Sequence, residues 1–147
     1  DIPTYSAGIA YADFDMDGDM DVVINNTNME ATLLENKSNV IAPKAWINLK
    51  FRGDTSNVNG LGTKVTVYYK GGMQMSELNP YRGYMSTMQD VLHFGLDTIT
   101  TIDSIVINWP DGKRETMTNV SVNQTMLVIQ SAGAQMNTQQ QSLLATN

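Results

Sequence analysis

From Lys44 onward, apolar and polar residues alternate with a period of two. In Lys44-Ala-Trp-Ile-Asn-Leu-Lys-Phe51, Ala45, Ile47, Leu49 and Phe51 share one face, while Lys44, Asn48 and Lys50 share the other. That pattern predicts a strand buried on one side. Residues 63–70 alternate again, Gly71-Gly72 supplies a hairpin turn, and 73–78 is the expected return strand. Residues 81–86 and 91–95 are shorter strand candidates, and 102–109 is the strongest strand of the chain. Pro110-Asp-Gly112 makes a tight turn, because proline presets φ on entry and glycine is free to leave it. Residues 114–118 and 124–129 complete the set. Strands recurring roughly every eight to twelve residues, with no helical period between 40 and 130, predict an antiparallel β-sandwich or barrel-like domain.

The first forty residues read differently. Two short apolar runs, 5–12 and 22–25, flank Asp13-Phe-Asp15-Met-Asp17-Gly18-Asp19-Met-Asp21, which places a carboxylate at every second position around one glycine. Two like charges about 4 Å apart repel by about 1 kcal/mol in water and by several times more near a protein surface. A loop holding five of them calls for a cation. Asp13, Asp15 and Asp17, at the first, third and fifth places, would each turn an oxygen inward, and Gly18 would take the left-handed turn that doubles the chain back. Asp19 would offer its main-chain carbonyl, and Asp21 could close the site, even bidentately. Hard oxygen ligands without nitrogen or sulfur favour Ca2+ over magnesium, and both over zinc. The alternative is a solvated acidic turn without metal; calcium is preferred because nothing else in the loop offsets the repulsion.

The first half of the loop matches an EF-hand, D-x-D-x-D-G, but the twelfth place is Ile24 instead of Glu, and the flanks read as strands instead of helices. The loop therefore bridges a β-hairpin. Residues 25–28 are turn chemistry, and 31–35 should return as a third short strand. The polar, Pro-ended connection from 36 to 43 is the best boundary in the chain. Three regions follow: a calcium-binding repeat over 1–38, a β domain over 39–131, and a polar tail over 132–147.

Residues 8–23, Gly8-Ile-Ala-Tyr-Ala-Asp13-Phe-Asp15-Met-Asp17-Gly18-Asp19-Met-Asp21-Val-Val, resemble an FG-GAP or VCBS repeat. The resemblance implies a blade of an integrin-α-like β-propeller with calcium in this loop. No second D-x-D-x-D-G occurs, and a single blade cannot bury its faces alone. The chain is thus expected to begin late in a larger protein, at its last repeat, with the parent's upstream propeller repeats as its neighbours. The second region resembles the ASPIC/UnbV domain through Asn59-Gly-Leu-Gly-Thr-Lys-Val65, Arg82-Gly-Tyr-Met-Ser86, His93-Phe-Gly-Leu96, Val106-Ile-Asn-Trp-Pro-Asp-Gly-Lys113 and Asn123-Gln-Thr125, in the expected order. It departs at Thr63, where the family pattern has a small residue, and at Asp97, where it has glycine; a changed turn at 96–98 is expected. The family typically follows FG-GAP/VCBS repeats in exported proteins, which implies an extracellular or cell-surface, bacterial-type protein. It carries no established activity.

Charge sharpens the division. Of the fifteen acids, eight lie in residues 1–36, where there is no Lys or Arg; all nine basic residues follow, so the acidity belongs to the loop. The basic residues are scattered apart from Lys113-Arg114, which argues against a nucleic-acid partner. No apolar run approaches the length of a membrane span. The sequence shows neither a signal peptide nor an initiating Met, as expected of an excised or processed fragment. Without cysteine there is no disulfide framework or thiolate chemistry.

His93 is the single histidine, so no ordinary Ser-His-Asp triad can be assembled, and it is expected to be structural. Trp46 and Trp109 could serve as sugar-stacking platforms, but a core position is expected for both. Tyr81 and Tyr84 are the better surface-binding candidates, although a structural role is favoured even there. Met16 and Met20 should brace the loop. The uncharged tail reads as a linker, with a short helix over 139–145 able to dock through Leu143 and Leu144, even on a second copy, so that self-association is one expectation. The function expected is a non-catalytic extracellular calcium-binding module for adhesion or for binding a glycan or protein ligand. The alternatives are a structural cap of a β-propeller with no ligand of its own, and an accessory domain of a carbohydrate-active enzyme.

Overall fold

A computed structural model describes residues 4–38, 44–81, 83–84 and 86–130. The tail expected over 132–147, its helix, and most of the 36–43 boundary lie outside the described residues. The chain forms two compact units. One holds the described residues up to Lys44 together with Pro80–Gln89; the other holds Ala45–Asn79 and the described residues from Asp90 on.

The first unit is built on a three-stranded antiparallel sheet in the order β1 (Ser6–Ala12), β2 (Asp21–Asn26), β3 (Thr32–Leu34). So few short strands bury little by themselves, and Ile9, Leu33 and Leu34 remain largely exposed. The described residues among 81–86 do not form the expected strand. A lone bridge joins Tyr81 and Thr87, because Gly83 takes φ 110° and turns the chain in mid-segment.

The second unit is a β-sandwich. Its three-stranded sheet has β4 (Ala45–Arg52) at the centre, flanked by β7 (Val91–Asp97) and β10 (Gln124–Ile129). The four-stranded sheet runs β6 (Gly72–Glu77), β5 (Lys64–Tyr69), β8 (Thr101–Asn108), β9 (Arg114–Ser121). β4 buries Ala45, Ile47, Leu49 and Phe51, the face its alternation predicts. These join Leu92 and Phe94 of β7, Val65 and Val67 of β5, and Ile105 and Ile107 of β8 in one core. Full burial of each such side chain contributes about 1.5–3 kcal/mol. Trp109 closes the core edge-on to Phe51, with ring centroids 5.8 Å apart. All paired strands are antiparallel except β10 and β4, which run parallel.

Both departures from the family pattern leave a physical trace. Thr63 is fully buried, and its Oγ1 has no hydrogen-bond partner among the described residues, so a smaller apolar residue would fit with less cost. Asp97 takes φ 52°, a left-handed conformation that glycine adopts without strain. Among the described residues, no helix is long and apolar enough to cross a membrane.

Candidate metal centre

Asp13 follows the last residue of β1, and Asp21 is the first of β2; the register that sets Ala12 opposite Asp21 draws the loop ends together. Between them Gly18 takes φ 93°, as its place predicts, and Met16 takes φ 62°. The loop's own amides turn its carboxylates inward. Gly18 N donates to Asp13 Oδ2 at 3.1 Å, Asp17 N to Asp15 Oδ1 at 3.3 Å, and Asp19 N to Asp17 Oδ1 at 3.0 Å.

The outcome is a cluster in which Asp13, Asp15 and Asp17 each present an oxygen within 4.8 Å of the other two. Asp13 Oδ1 is buried and has no hydrogen-bond partner among the described residues. A buried carboxylate oxygen without a donor is costly, and a cation would remove that cost. Asp17 is held above the usual carboxylate range. The Asp19 amide favours its ionised form, but partial desolvation and the neighbouring charges of Asp19 and Asp15 together outweigh that bond. Three hard oxygens in a tight loop fit calcium in kind.

Asp19 and Asp21 are buried and hold the loop down. Asp21 Oδ2 accepts from Phe14 N at 3.1 Å and its Oδ1 from Asn36 N at 2.8 Å, which ties the loop to the chain beyond β3. Asp19 Oδ2 accepts from Ser38 Oγ at 2.8 Å. A carboxylate oxygen that accepts one hydrogen bond can still ligate a cation. Asn36 and Ser38 went unnoticed in the sequence, where they look like linker; the Asx turn that Ser38 N makes onto Asn36 Oδ1 was the available signal.

Other candidates fall elsewhere. Met16 is 85% exposed and so does not brace the loop as expected; Met20 is half-buried. Tyr81 and Tyr84 are exposed, and Tyr84 lines a shallow cleft of about 360 Å³ with Ser6, Gly8 and Ser86. Trp46 is not a core residue. It lies on the outer face of β4, half-buried, stacked on His93 with centroids 6.4 Å apart. His93 Nδ1 sits 2.8 Å from Asn48 Oδ1.

Comparison with known proteins agrees with the second unit. Residues 53–135, more than half of the chain, match the family described as ASPIC and UnbV. Cartilage acidic protein 1 of Mus musculus is 30% identical over 108 residues, covering 72% of this chain and 16% of that protein. Its Xenopus tropicalis counterpart is 31% identical over the same length, with the same coverage of 72% and 16%. The chain thus spans a small part of these relatives. The solved structure of a protein from Eubacterium rectale overlaps 70% of this chain and 89% of its own, at a TM-score of 0.39 and 9% identity.

Proposed function

Because the chain belongs to the ASPIC and UnbV family, we propose that it is a non-catalytic binding module of an exported protein, with a calcium-stiffened loop at its first unit. The observation that carries the metal is the convergence of Asp13, Asp15 and Asp17, together with an Asp13 Oδ1 that is buried and has no hydrogen-bond partner among the described residues. Asp19 and Asp21, latched by Ser38 and Asn36, would keep the loop in one shape so that little ordering remains to be done when the ion enters. Calcium would thereby set the surface beside the loop for adhesion, or for a glycan or protein ligand. An extracellular setting is supported by the name of the relatives, cartilage acidic protein 1. The FG-GAP/VCBS reading of the first unit rests on its loop and hairpin.

A second reading has its own observation. Ile9, Leu33 and Leu34 stay exposed on the three-stranded sheet, as a propeller blade would leave them when its neighbours are absent. The chain would then cap upstream repeats and bind nothing itself. An accessory role in a carbohydrate-active enzyme would place the activity outside this chain. Glycan-array and cell-binding assays, with and without chelator, separate these readings. A signal that vanishes in chelator supports the calcium-dependent module. No signal in either condition, together with failure of a longer parent protein to fold without this chain, supports the cap.

A further inference from the structure

The outer face of the three-stranded sheet in the second unit carries polar, aromatic and basic residues in a row along β4. Along β4, Trp46, Asn48, Lys50 and Arg52 occupy successive outward positions, opposite in sense to the buried Ala45, Ile47, Leu49 and Phe51. Successive members lie about 6.7 Å apart, so the row is about 20 Å long. In register, Asn48 has Thr125 of β10 on one side and His93 of β7 on the other. Asn48 Oδ1 meets His93 Nδ1 at 2.8 Å, and its amide nitrogen reaches Thr125 Oγ1 at 3.5 Å. The Trp46 ring is held nearly parallel to His93, with 20° between the planes. The backbone of Trp46 is pinned by Asn123, the residue before β10, its N donating to Asn123 Oδ1 at 3.1 Å.

The charge on this face contrasts with that of the chain, whose net charge is −6. Lys37, Lys64 and Lys113 each pair with an acid. Lys50 and Arg52 are exposed and form no ion pair among the described residues. The outward positions of β4 and β10 carry no acid, and β7 brings one, Asp97, at the far end, opposite Ala45 in register. An aromatic plane, an amide–imidazole–hydroxyl line across the sheet and two cations without an ion pair among the described residues therefore follow one another along β4.

The geometry points to an acidic oligosaccharide as the ligand of this face. Trp46 would stack on the apolar side of a pyranose ring. Asn48, His93 and Thr125 would exchange hydrogen bonds with ring hydroxyls. Lys50 and Arg52 would take carboxylate or sulfate groups further along the chain. The complementarity is of charge as well as shape: a neutral glycan would leave both cations unused, and a simple polyanion would leave Trp46 unused. This assignment rests on reading the chain as a binding module, but not on the metal, whose ligands lie in the other unit.

The test titrates the full chain in chelator with an oligogalacturonate and with a sulfated maltooligosaccharide, following calorimetry and tryptophan emission. Unsulfated maltooligosaccharide and polyglutamate serve as controls. Saturable binding of one or both acidic sugars, weakened by salt, is expected. The double variant Lys50→Gln/Arg52→Gln should lose affinity by about tenfold or more. Trp46→Ala should also lose binding, while Lys64→Gln should keep it. Which acidic sugar binds distinguishes sulfate from carboxylate recognition. No binding of either sugar, equal binding of maltooligosaccharide or polyglutamate, or an unchanged double variant would overturn the assignment. So would binding that requires calcium and disappears in Asp15→Ala, which would move the ligand to the metal loop. Because the exposed double variant leaves the core intact, its loss of binding is not explained by unfolding.

Discussion

Asp21 separates the architecture of the loop from its metal chemistry. It is 3% exposed, and each of its oxygens accepts one backbone amide, from Phe14 and from Asn36. Replacing it with Asn keeps the shape but puts an NH2 group where one of the two acceptors stood. One charge-assisted hydrogen bond, worth about 1.5–3 kcal/mol, is lost. The other falls to neutral strength, roughly half. Metal-free Asp21→Asn should therefore be destabilised by about 2–4 kcal/mol in the first unit. Urea unfolding in chelator measures the loss, and amide hydrogen exchange locates it, since Phe14 or Asn36 should lose protection. By contrast, Asp15 is exposed, and Asn at that place still accepts from Asp17 N while removing a like charge from the cluster. Its metal-free stability should not fall. An Asp21→Asn protein as stable as wild type in chelator, with both amides still protected, would refute the latch.

Three further outcomes follow from the second unit. Thr63→Val should be neutral or stabilising by about 1 kcal/mol, since the buried hydroxyl it removes has no hydrogen-bond partner among the described residues; a clear drop in the urea midpoint would show that the hydroxyl is satisfied. Gly60→Ala should cost at least about 2 kcal/mol, because Gly60 has φ 65° and a Cβ there would lie 2.9 Å from Phe51 Cβ and 3.1 Å from Trp109 Cζ3; a shifted Trp109 emission should accompany the loss. Asp54 is held below the usual carboxylate range by the Ser56 hydroxyl and amide, then by the Asn57 amide. Its contribution is therefore present above the unfolded value of about 4 and disappears as pH falls through the lower folded value. The stability gap between wild type and Asp54→Asn should close over that interval; a gap constant with pH would contradict it.

What could be read from the chain was local. The period-two pattern of 45–51 identifies the buried residues of β4 one by one, and the spacing of Asp13, Asp15 and Asp17 anticipates the cluster they form. Partners distant in sequence were not legible. Nothing near 124–129 says that this strand lies parallel to one some seventy residues earlier, and nothing near Asp21 or Asp19 names Asn36 and Ser38. Trp46 was placed in the core on the general burial of tryptophan, although the same alternation that placed Ile47 inside puts residue 46 outside. Residues 81–86 read as a short strand candidate, but Gly83 takes a positive φ and the described residues there form only the Tyr81–Thr87 bridge. Pro80–Gln89, between β6 and β7 in sequence, belongs to the first unit, a placement decided by contacts that no local pattern encodes.

Calcium titration by calorimetry, with melting followed in calcium and in chelator, tests the central claim on wild type and Asp15→Ala. Saturable binding at one site and a melting point that rises with calcium are expected, with both lost in the variant. Absence of binding at millimolar calcium, or binding that Asp15→Ala leaves intact, would contradict it.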